Sequence, residues 1–298
     1  MRLAAIDIGS NAARLLISDV VMINNKPEFN KLNLIRVPLR LGFDVFEKTR
    51  ISQEKVTMII NTIQAFRYLI DAYDVKYFKA AATSAMRDAV NARSILEQVK
   101  HETGIEIEVI TGDDEATLVY ENHIAENLDT EHSYLYIDVG GGSTELTFFA
   151  VNKLIFKESF NIGTIRLLKN QVQENSWEEM KDFIKKEMKG HDNDVVAIGS
   201  GGNINKVFSL SKRKDGKPLS LDLLKDYYKE LGSFSVKERM RLYHLKEDRA
   251  DVIVPALQIY INVMRWANAT EIFVPKIGLA DGLIQHLYGE LIRKGIRA

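Results

Sequence analysis

Across 298 residues the sequence has no cysteine, which excludes disulfides, thiol nucleophiles and cysteine-ligated zinc. A reducing cytoplasm is the compartment that fits. The histidines show no ligand spacing either: the nearest pair, His123 and His132, lacks an i,i+4 relation, so zinc is not expected. No apolar run reaches the roughly 18 residues that a membrane-spanning helix needs. A signal peptide is not expected, because Asp7, Arg14 and Asp19 break the N-terminal apolar stretch. Charge of one sign is lacking too. A net charge of −1 leaves no global field to attract nucleic acid or an anionic membrane, and neither is expected as a partner. Prolines number five, and no Pro-rich, Gly/Ser-rich or low-complexity tract divides the chain. A polyanionic ligand would have to be met locally, by arginines, lysines and backbone amides.

What is present is a hydrophobic content of 46%, enough for each half of the chain to bury a core, in a length that allows two ordinary domains. Two segments share one design. The first runs Ala5-Ile6-Asp7-Ile8-Gly9-Ser10-Asn11 and continues into Arg14-Leu15-Leu16-Ile17. The second runs Tyr136-Ile137-Asp138-Val139-Gly140-Gly141-Gly142-Ser143-Thr144 and continues into Glu145-Leu146-Thr147-Phe148-Phe149. Each is an apolar strand, an aspartate, a tight Gly/Ser turn and a second apolar strand. Such a turn can aim several backbone N–H groups at one anion. The aspartates Asp7 and Asp138 can hold the cation that accompanies phosphate. Two copies suggest two similar domains with a phosphate chain between them.

Residues 1–23 read as a β-hairpin. Ser52 is expected to cap a helix whose stripe is Val56, Ile59, Ile60, Ile63, Phe66 and Ile70. A strand over Tyr77–Thr83 precedes a helix that stops at Gly104. Ile105–Ile110 alternates as a strand, and a helix starts near Asp113. The second half restarts at Tyr134, with a third strand over Leu154–Phe160 and a capping box at Ser176-Trp177-Glu178-Glu179 for a helix ending at Gly190. Val195–Ile198 is a buried strand, Ser220 and Ser235 open helices, and Pro255 lies in the first turns of a helix over 251–267. Glu271–Pro275 is the last strand, and Gly278–Gly282 leads into the last helix. The class is α/β in both halves. The boundary falls near 125–133, giving domains 1–125 and 126–298, with the last helix free to pack back on the first.

Among the candidate chemistry, the turn at 140–144 is the strongest signal, since a plain two-residue hairpin needs only one glycine. Glu145 is either a solvent-facing strand residue or one that positions a metal-bound water. Asp113, Asp114 and Glu115 form an acidic first turn. The helix dipole favours acids there, and one of them could also act as a general base. Arg87, at a strand-to-helix junction, is either a phosphate clamp or a surface arginine. Gly199-Ser200-Gly201-Gly202 has a context that favours anion binding, with Gly201 the candidate contact. Lys212–Lys217 reads as a solvated turn, with a basic rim for a long polyanion as its alternative. No Walker A, G-x-G-x-x-G or G-x-S-x-G pattern accounts for these sites.

Together these residues resemble the Ppx/GppA phosphatase family, of the actin-like ATPase superfamily. The resemblance is carried by Asp7–Asn11, Arg40-Leu41-Gly42, Ala82–Arg87, Gly112–Ala116, Ile137–Leu146 and Arg249–Pro255. It implies two ribonuclease-H-like domains with a cleft between them, and Mg²⁺ as cofactor, with Mn²⁺ the alternative. It also implies Glu115 as general base, Asp138 and Glu145 as metal and water-positioning carboxylates, and Arg87 as a substrate contact. Gly9, Ser10 and Asn11, with Gly140, Gly141, Gly142, Ser143 and Thr144, match the two phosphate loops. The implied activity is exopolyphosphatase, releasing orthophosphate from the end of inorganic polyphosphate. The alternative is pppGpp 5′-phosphohydrolase, and a small-molecule kinase or a nucleotide-dependent scaffold are more distant rivals. Ending at 298, the chain is similar to short, two-domain members, and a homodimer is an assembly left open. Departures from the pattern stand at Ala12, Asn203, Ala256 and Ala280, and these are placed in the second domain's outer cleft.

Overall fold

The computed structural model describes residues 1–124, 132–151, 153–191, 195–276 and 278–296, and within the helix ending at Ile124 the side chains from 119 onward fall outside that description. The chain divides into two compact units, Met1–Asn122 with Gly278–Ala298, and His123–Ile277. Most of the boundary segment read at 125–133 lies outside the described residues.

In the first unit, β1 (Arg2–Ile8), β2 (Ala13–Ile23) and β3 (Lys26–Val37) form an antiparallel meander. Then come α1 (Gly42–Lys48), α2 (Gln53–Ala72), β4 (Tyr77–Ala82), α3 (Ser84–Asp88), α4 (Ala92–Thr103), β5 (Glu108–Val109) and α5 (Gly112–Ile124). The sheet order is β3-β2-β1-β4-β5, with β4 parallel to β1 and β5 parallel to β4. β1 is central and buried along both faces from Leu3, as a continuous apolar strand must be.

The second unit repeats the plan. β6 (Ser133–Val139), β7 (Thr144–Ala150) and β8 (Lys153–Phe160) form the meander. They are followed by α6 (Thr164–Leu168), α7 (Ser176–Glu187), β9 (Val195–Ser200), α8 (Gly202–Ser211), β10 (Leu219–Ser220), α9 (Leu221–Ser233), α10 (Val236–Tyr243), α11 (Glu247–Ala250), α12 (Ile253–Trp266) and β11 (Glu271–Phe273). The order β10-β11-β9-β6-β7-β8 is the first sheet's order, with β10 added at one edge. The last helix, α13 (Leu279–Arg293), belongs to the first unit and packs on β1, β2 and β4. Its Leu283, Ile284, Leu287 and Leu291 join Leu3, Leu16 and Val20 in one buried cluster.

Several expectations need correction. The segment 278–298, drawn with the second domain but left free to pack back on the first, is part of the first unit, where α13 supplies the apolar layer over one sheet face. Ala280 is therefore a core residue of the first unit and not part of a second-domain cleft. Ala256 is likewise buried in the second unit's core. The strand read over 105–110 pairs only at Glu108–Val109, at the sheet's edge. The helix read from Ser176 to Gly190 ends at Glu187, and Asn175 holds its cap position, with Nδ2 donating to Glu179 Oε1 at 2.6 Å; there is no Ser176 capping box. Ser52 sits at the α2 cap without a side-chain bond, whereas Ser220 and Ser235 both cap as read. β3 was not anticipated.

Candidate active site

In a sheet of this order, ligands bind beyond the carboxyl ends of the parallel strands, where neighbouring connections diverge. In the first unit those ends are the turn after β1, the β4–α3 junction and the β5–α5 junction. Hydrogen bonds tie them into one group. Gly9 N donates to Ala12 O at 3.0 Å, closing the turn. Ser10 O accepts from Gly42 N at 2.8 Å, and Asn11 O accepts from Arg40 N at 2.9 Å. Buried Ser10 and Ser84 share a 2.7 Å hydroxyl–hydroxyl bond, and Thr83 N donates to Ile8 O at 3.1 Å. Arg87 Nη1 donates to Ile110 O at 2.8 Å, linking α3 to the segment that enters α5. One group thus brings together Gly9, Ser10, Asn11, Arg87 and the start of α5, and the Arg40-Leu41-Gly42 segment is its lateral brace.

The three acids of the α5 first turn are not equivalent. Thr111 and Asp114 cap each other: Asp114 N donates to Thr111 Oγ1 at 3.1 Å, and Thr111 Oγ1 donates to Asp114 Oδ2 at 2.6 Å. Asp114 is therefore occupied with the cap that starts the helix. Asp113 is exposed. Glu115 is half-buried and set in the first turn, where the helix dipole favours its ionised form.

In the second unit, Gly140 N donates to Ser143 O at 2.9 Å and closes the glycine hairpin. The carbonyls of its three glycines are turned to α6. Gly140 O accepts from Thr164 N at 3.0 Å, Gly141 O from Ile165 N at 2.9 Å, and Gly142 O from Arg166 Nε at 2.7 Å. Thr144 Oγ1 anchors the same junction by donating to Ile162 O at 2.6 Å. The N–H groups of Gly141, Gly142 and Ser143 find no acceptor among the described residues. Carbonyls fixed on one side and amides available on the other make an anion nest. Gly163 is what permits this approach, since a Cβ there would overlap the Gly141–Gly142 peptide.

The carboxylates distinguish the two copies of the motif. Asp7 lies opposite Arg14 in the β1–β2 register, and the two form an ion pair at 2.6 Å with Asp7 only 2% exposed. Asp138 lies opposite Glu145 in the β6–β7 register. Directly opposed residues share a face, with Cβ atoms about 4.5–5.5 Å apart. Glu145 is 3% exposed and accepts from Ser159 Oγ at 2.9 Å, which rules out the solvent-facing reading. Two adjacent carboxylates repel, and a divalent cation would offset that repulsion. Their hard oxygens suit Mg²⁺ or Mn²⁺. Among the described residues no three ligating side chains cluster. The donor set fits an ion held by one or two carboxylates and completed by water and phosphate oxygens, the usual manner of Mg²⁺.

Ser200, opposite Asp138 in the β6–β9 register, leads into Gly201, which has φ +99° and where a Cβ would stand 3.0 Å from Asp138 Oδ1. Tyr260 fixes this turn by donating to Ser200 O at 2.5 Å. Burial, and then the nearby Asp138 carboxylate, hold the Tyr260 phenol well above its ordinary range. Arg249 lies against Gly202 and donates to Asn203 Oδ1 at 3.1 Å, so the departure at 203 supplies an acceptor for that guanidinium.

The profile of the Ppx/GppA phosphatase family matches residues 20–290. The chain belongs to the Ppx/GppA phosphatase family. Over 202 residues it is 33% identical to the bifunctional 3-dehydroquinate synthase/phosphatase of Fusobacterium nucleatum, a match covering 62% of this chain but 30% of that protein. It is 24% identical over 310 residues to exopolyphosphatase 1 of Mycobacterium tuberculosis, covering 95% of this chain and 87% of that one. The crystal structure of an exopolyphosphatase from Cytophaga hutchinsonii superposes with a TM-score of 0.81 at 26% identity, over 97% of this chain and 98% of that one. Both α/β units thus carry the actin-like ATPase fold of this family.

Reading residues alone missed Gly163, Arg166 and Ser159, which brace the loop and Glu145 from β8 and α6. The Gly163-Thr164 pair just after a strand was the available signal. Arg14 could have been found by closing the first hairpin on paper and reading across from Asp7.

Proposed function

We propose that this chain is an exopolyphosphatase that hydrolyses the terminal phosphoanhydride bond of inorganic polyphosphate and releases orthophosphate. The observation that carries the reading is the glycine hairpin, whose glycine carbonyls are taken by α6 and Arg166 while three successive amides are left to an anion. Those amides receive oxygens of the phosphate chain, and Arg87 and the turn at Gly9–Asn11 contribute further contacts. Asp138 and Glu145 hold a divalent ion, Mg²⁺ or Mn²⁺, which when bound neutralises phosphate charge that would repel a nucleophile. Asp7 carries its own counter-charge in Arg14 and is the weaker candidate ligand. Glu115 takes the proton of a water that attacks the terminal phosphorus in line. The bridging P–O bond breaks, and the products are orthophosphate and a chain one phosphate shorter. Positioning and charge neutralisation supply the catalysis. A cytoplasmic setting is proposed on the lack of cysteine. Among the described residues no helix is long and apolar enough to cross a membrane.

The test is phosphate release with Mg²⁺ from short polyphosphate, long polyphosphate, pppGpp and ATP. Release from polyphosphate with no acceptor present is the expected result. Release from pppGpp alone moves the substrate to a guanosine polyphosphate, and silence on all four rejects the hydrolase. The Glu115→Gln variant should turn over ~10²–10⁴ more slowly with folding retained, and unchanged turnover would rule Glu115 out as the base.

A further inference from the structure

Three polar residues stand in one row across the meander of the second sheet. Asp138 of β6 is opposite Glu145 of β7, and Glu145 is opposite Ser159 of β8. Residues directly opposed in antiparallel strands share a face, so the row is continuous. Neighbouring strands are about 4.7–4.9 Å apart, which sets Glu145 between Asp138 on one side and Ser159 on the other. Ser159 Oγ donates to Glu145 Oε1 at 2.9 Å, and Glu145 is 3% exposed. Oε1 is therefore turned toward β8, away from the neighbouring aspartate.

The first sheet, built in the same order, supplies the comparison. Its corresponding row is Asp7 of β1, Arg14 of β2 and Arg36 of β3. The aspartate recurs, but an arginine stands in the place of Glu145 and another in the place of Ser159. The fold itself does not ask for a hydroxyl at this point of its edge strand, and the hydroxyl accompanies the glutamate. A carboxylate meets a cation through one oxygen or through two. Ca²⁺ gathers about six to eight oxygens in a flexible shell and takes carboxylates in either way. Mg²⁺ demands a near-ideal octahedron, keeps several waters and uses one or two carboxylates. With Oε1 held toward β8, an ion lying between Asp138 and Glu145 reaches Glu145 through Oε2 alone.

We infer that Ser159 sets the metal specificity of this site: by holding Glu145 Oε1 on the β8 side it keeps that carboxylate a one-oxygen ligand, which favours a small octahedral ion such as Mg²⁺ over Ca²⁺. The inference rests on the reading of Asp138 and Glu145 as the pair that holds the divalent ion. Ser159 acts through Glu145 and is a positioning residue.

The probe is Mn²⁺, whose free ion is followed by electron paramagnetic resonance. The full-length protein is stripped with EDTA, desalted and titrated with Mn²⁺ in the absence of substrate. Bound Mn²⁺ is then displaced by Mg²⁺ and, in a separate titration, by Ca²⁺. Ser159→Ala and Ser159→Thr are run beside the parent. In the Ala variant Mn²⁺ should bind about tenfold or more weakly, the range for removing a group that orients a metal ligand. Ca²⁺ should gain on Mg²⁺ as displacing ion by a similar factor. The Thr variant keeps the hydroxyl on a residue that suits strands and should behave as the parent. A Ca²⁺-to-Mg²⁺ ratio that is the same in parent and Ala variant overturns the inference, whatever happens to Mn²⁺ affinity, and so does a Thr variant that behaves like Ala. Urea midpoints on the same samples identify a serine with a structural role alone, which would move the midpoint and leave the ratio where it was. A parent that takes up no Mn²⁺ overturns the carboxylate pair together with the inference. Phosphate release from polyphosphate is read separately. Release without serine-dependent selectivity removes only this inference, and serine-dependent selectivity without release removes only the exopolyphosphatase.

Discussion

Gly163→Ala should do far more damage than its single methyl group suggests. Gly163 has φ −138° and ψ 163°, extended backbone open to any residue, so dihedral strain is not the cause. The obstacle is packing: a Cβ at 163 would stand 2.5 Å from the carbonyl carbons of both Gly141 and Gly142. Carbon atoms settle at about 3.5–4.0 Å, so the loop must retreat by about 1 Å. The loop is held there by Thr164 N to Gly140 O and Ile165 N to Gly141 O, and that retreat weakens both bonds. Each contributes about 0.5–1.5 kcal/mol, which sets a stability loss of ~1–3 kcal/mol. A misplacement of about 1 Å in a group that positions substrate costs on the order of 10²-fold in rate. Urea unfolding and polyphosphate hydrolysis, measured on the same preparations, give the two numbers. A variant with parental midpoint and parental turnover would refute both the packing argument and the loop's role.

The same substitution at Gly289, inside α13 with open space where its Cβ would go, should stabilise by about 0.5–1 kcal/mol in the same urea assay. Thr111→Val removes the hydroxyl that caps α5 and should cost about 1 kcal/mol, with a fall in turnover because Glu115 rides on that first turn. Tyr260→Phe leaves Ser200 O without its donor and should cost ~1–3 kcal/mol at pH 8. Because the native pKa of Tyr260 is raised, both states keep the proton below pH 10, and above it the unfolded chain releases it first. Stability of the parent should therefore fall from about pH 10 upward, and the Phe variant should show a shallower fall in denaturant midpoint over that range.

The hairpins β1–β2 and β6–β7 were readable because each is a buried central pair closed by a turn rich in glycine or serine, a local signal. β3 was not. Lys26–Val37 is mostly exposed edge strand with charged and polar residues on both faces, and its apolar residues fall on opposite phases, Leu32 and Leu34 on one and Ile35 and Val37 on the other, so no single alternation marks it. The capping box read at Ser176 does not form because Ser176 already lies inside α7, and Asn175 before it turns its side chain to Glu179 rather than to the first-turn amides. Within the site, the loops themselves were legible, while their braces were not. Ser84 beneath Ser10, Gly163 against Gly141 and Arg249 over Gly202 come from distant parts of the chain, and no local pattern announces such pairs. The acidic turn shows the middle case: its three carboxylates were visible, but only the Thr111–Asp114 bonds separate a helix cap from a candidate base.

The return of α13 to the first unit sets an order on biosynthesis. When residue 122 leaves the ribosome, the sheet built on β1 has its strands but not the helix whose Leu283, Ile284 and Leu287 cover one of its faces. About 155 residues of the second unit must be made before that helix emerges, which takes roughly 8–31 s at about 5–20 residues per second. The second unit, contiguous in the chain, can finish folding within that interval. The first emerges earlier and matures later, with Leu3, Leu16 and Val20 exposed to any chaperone that recognises apolar strands.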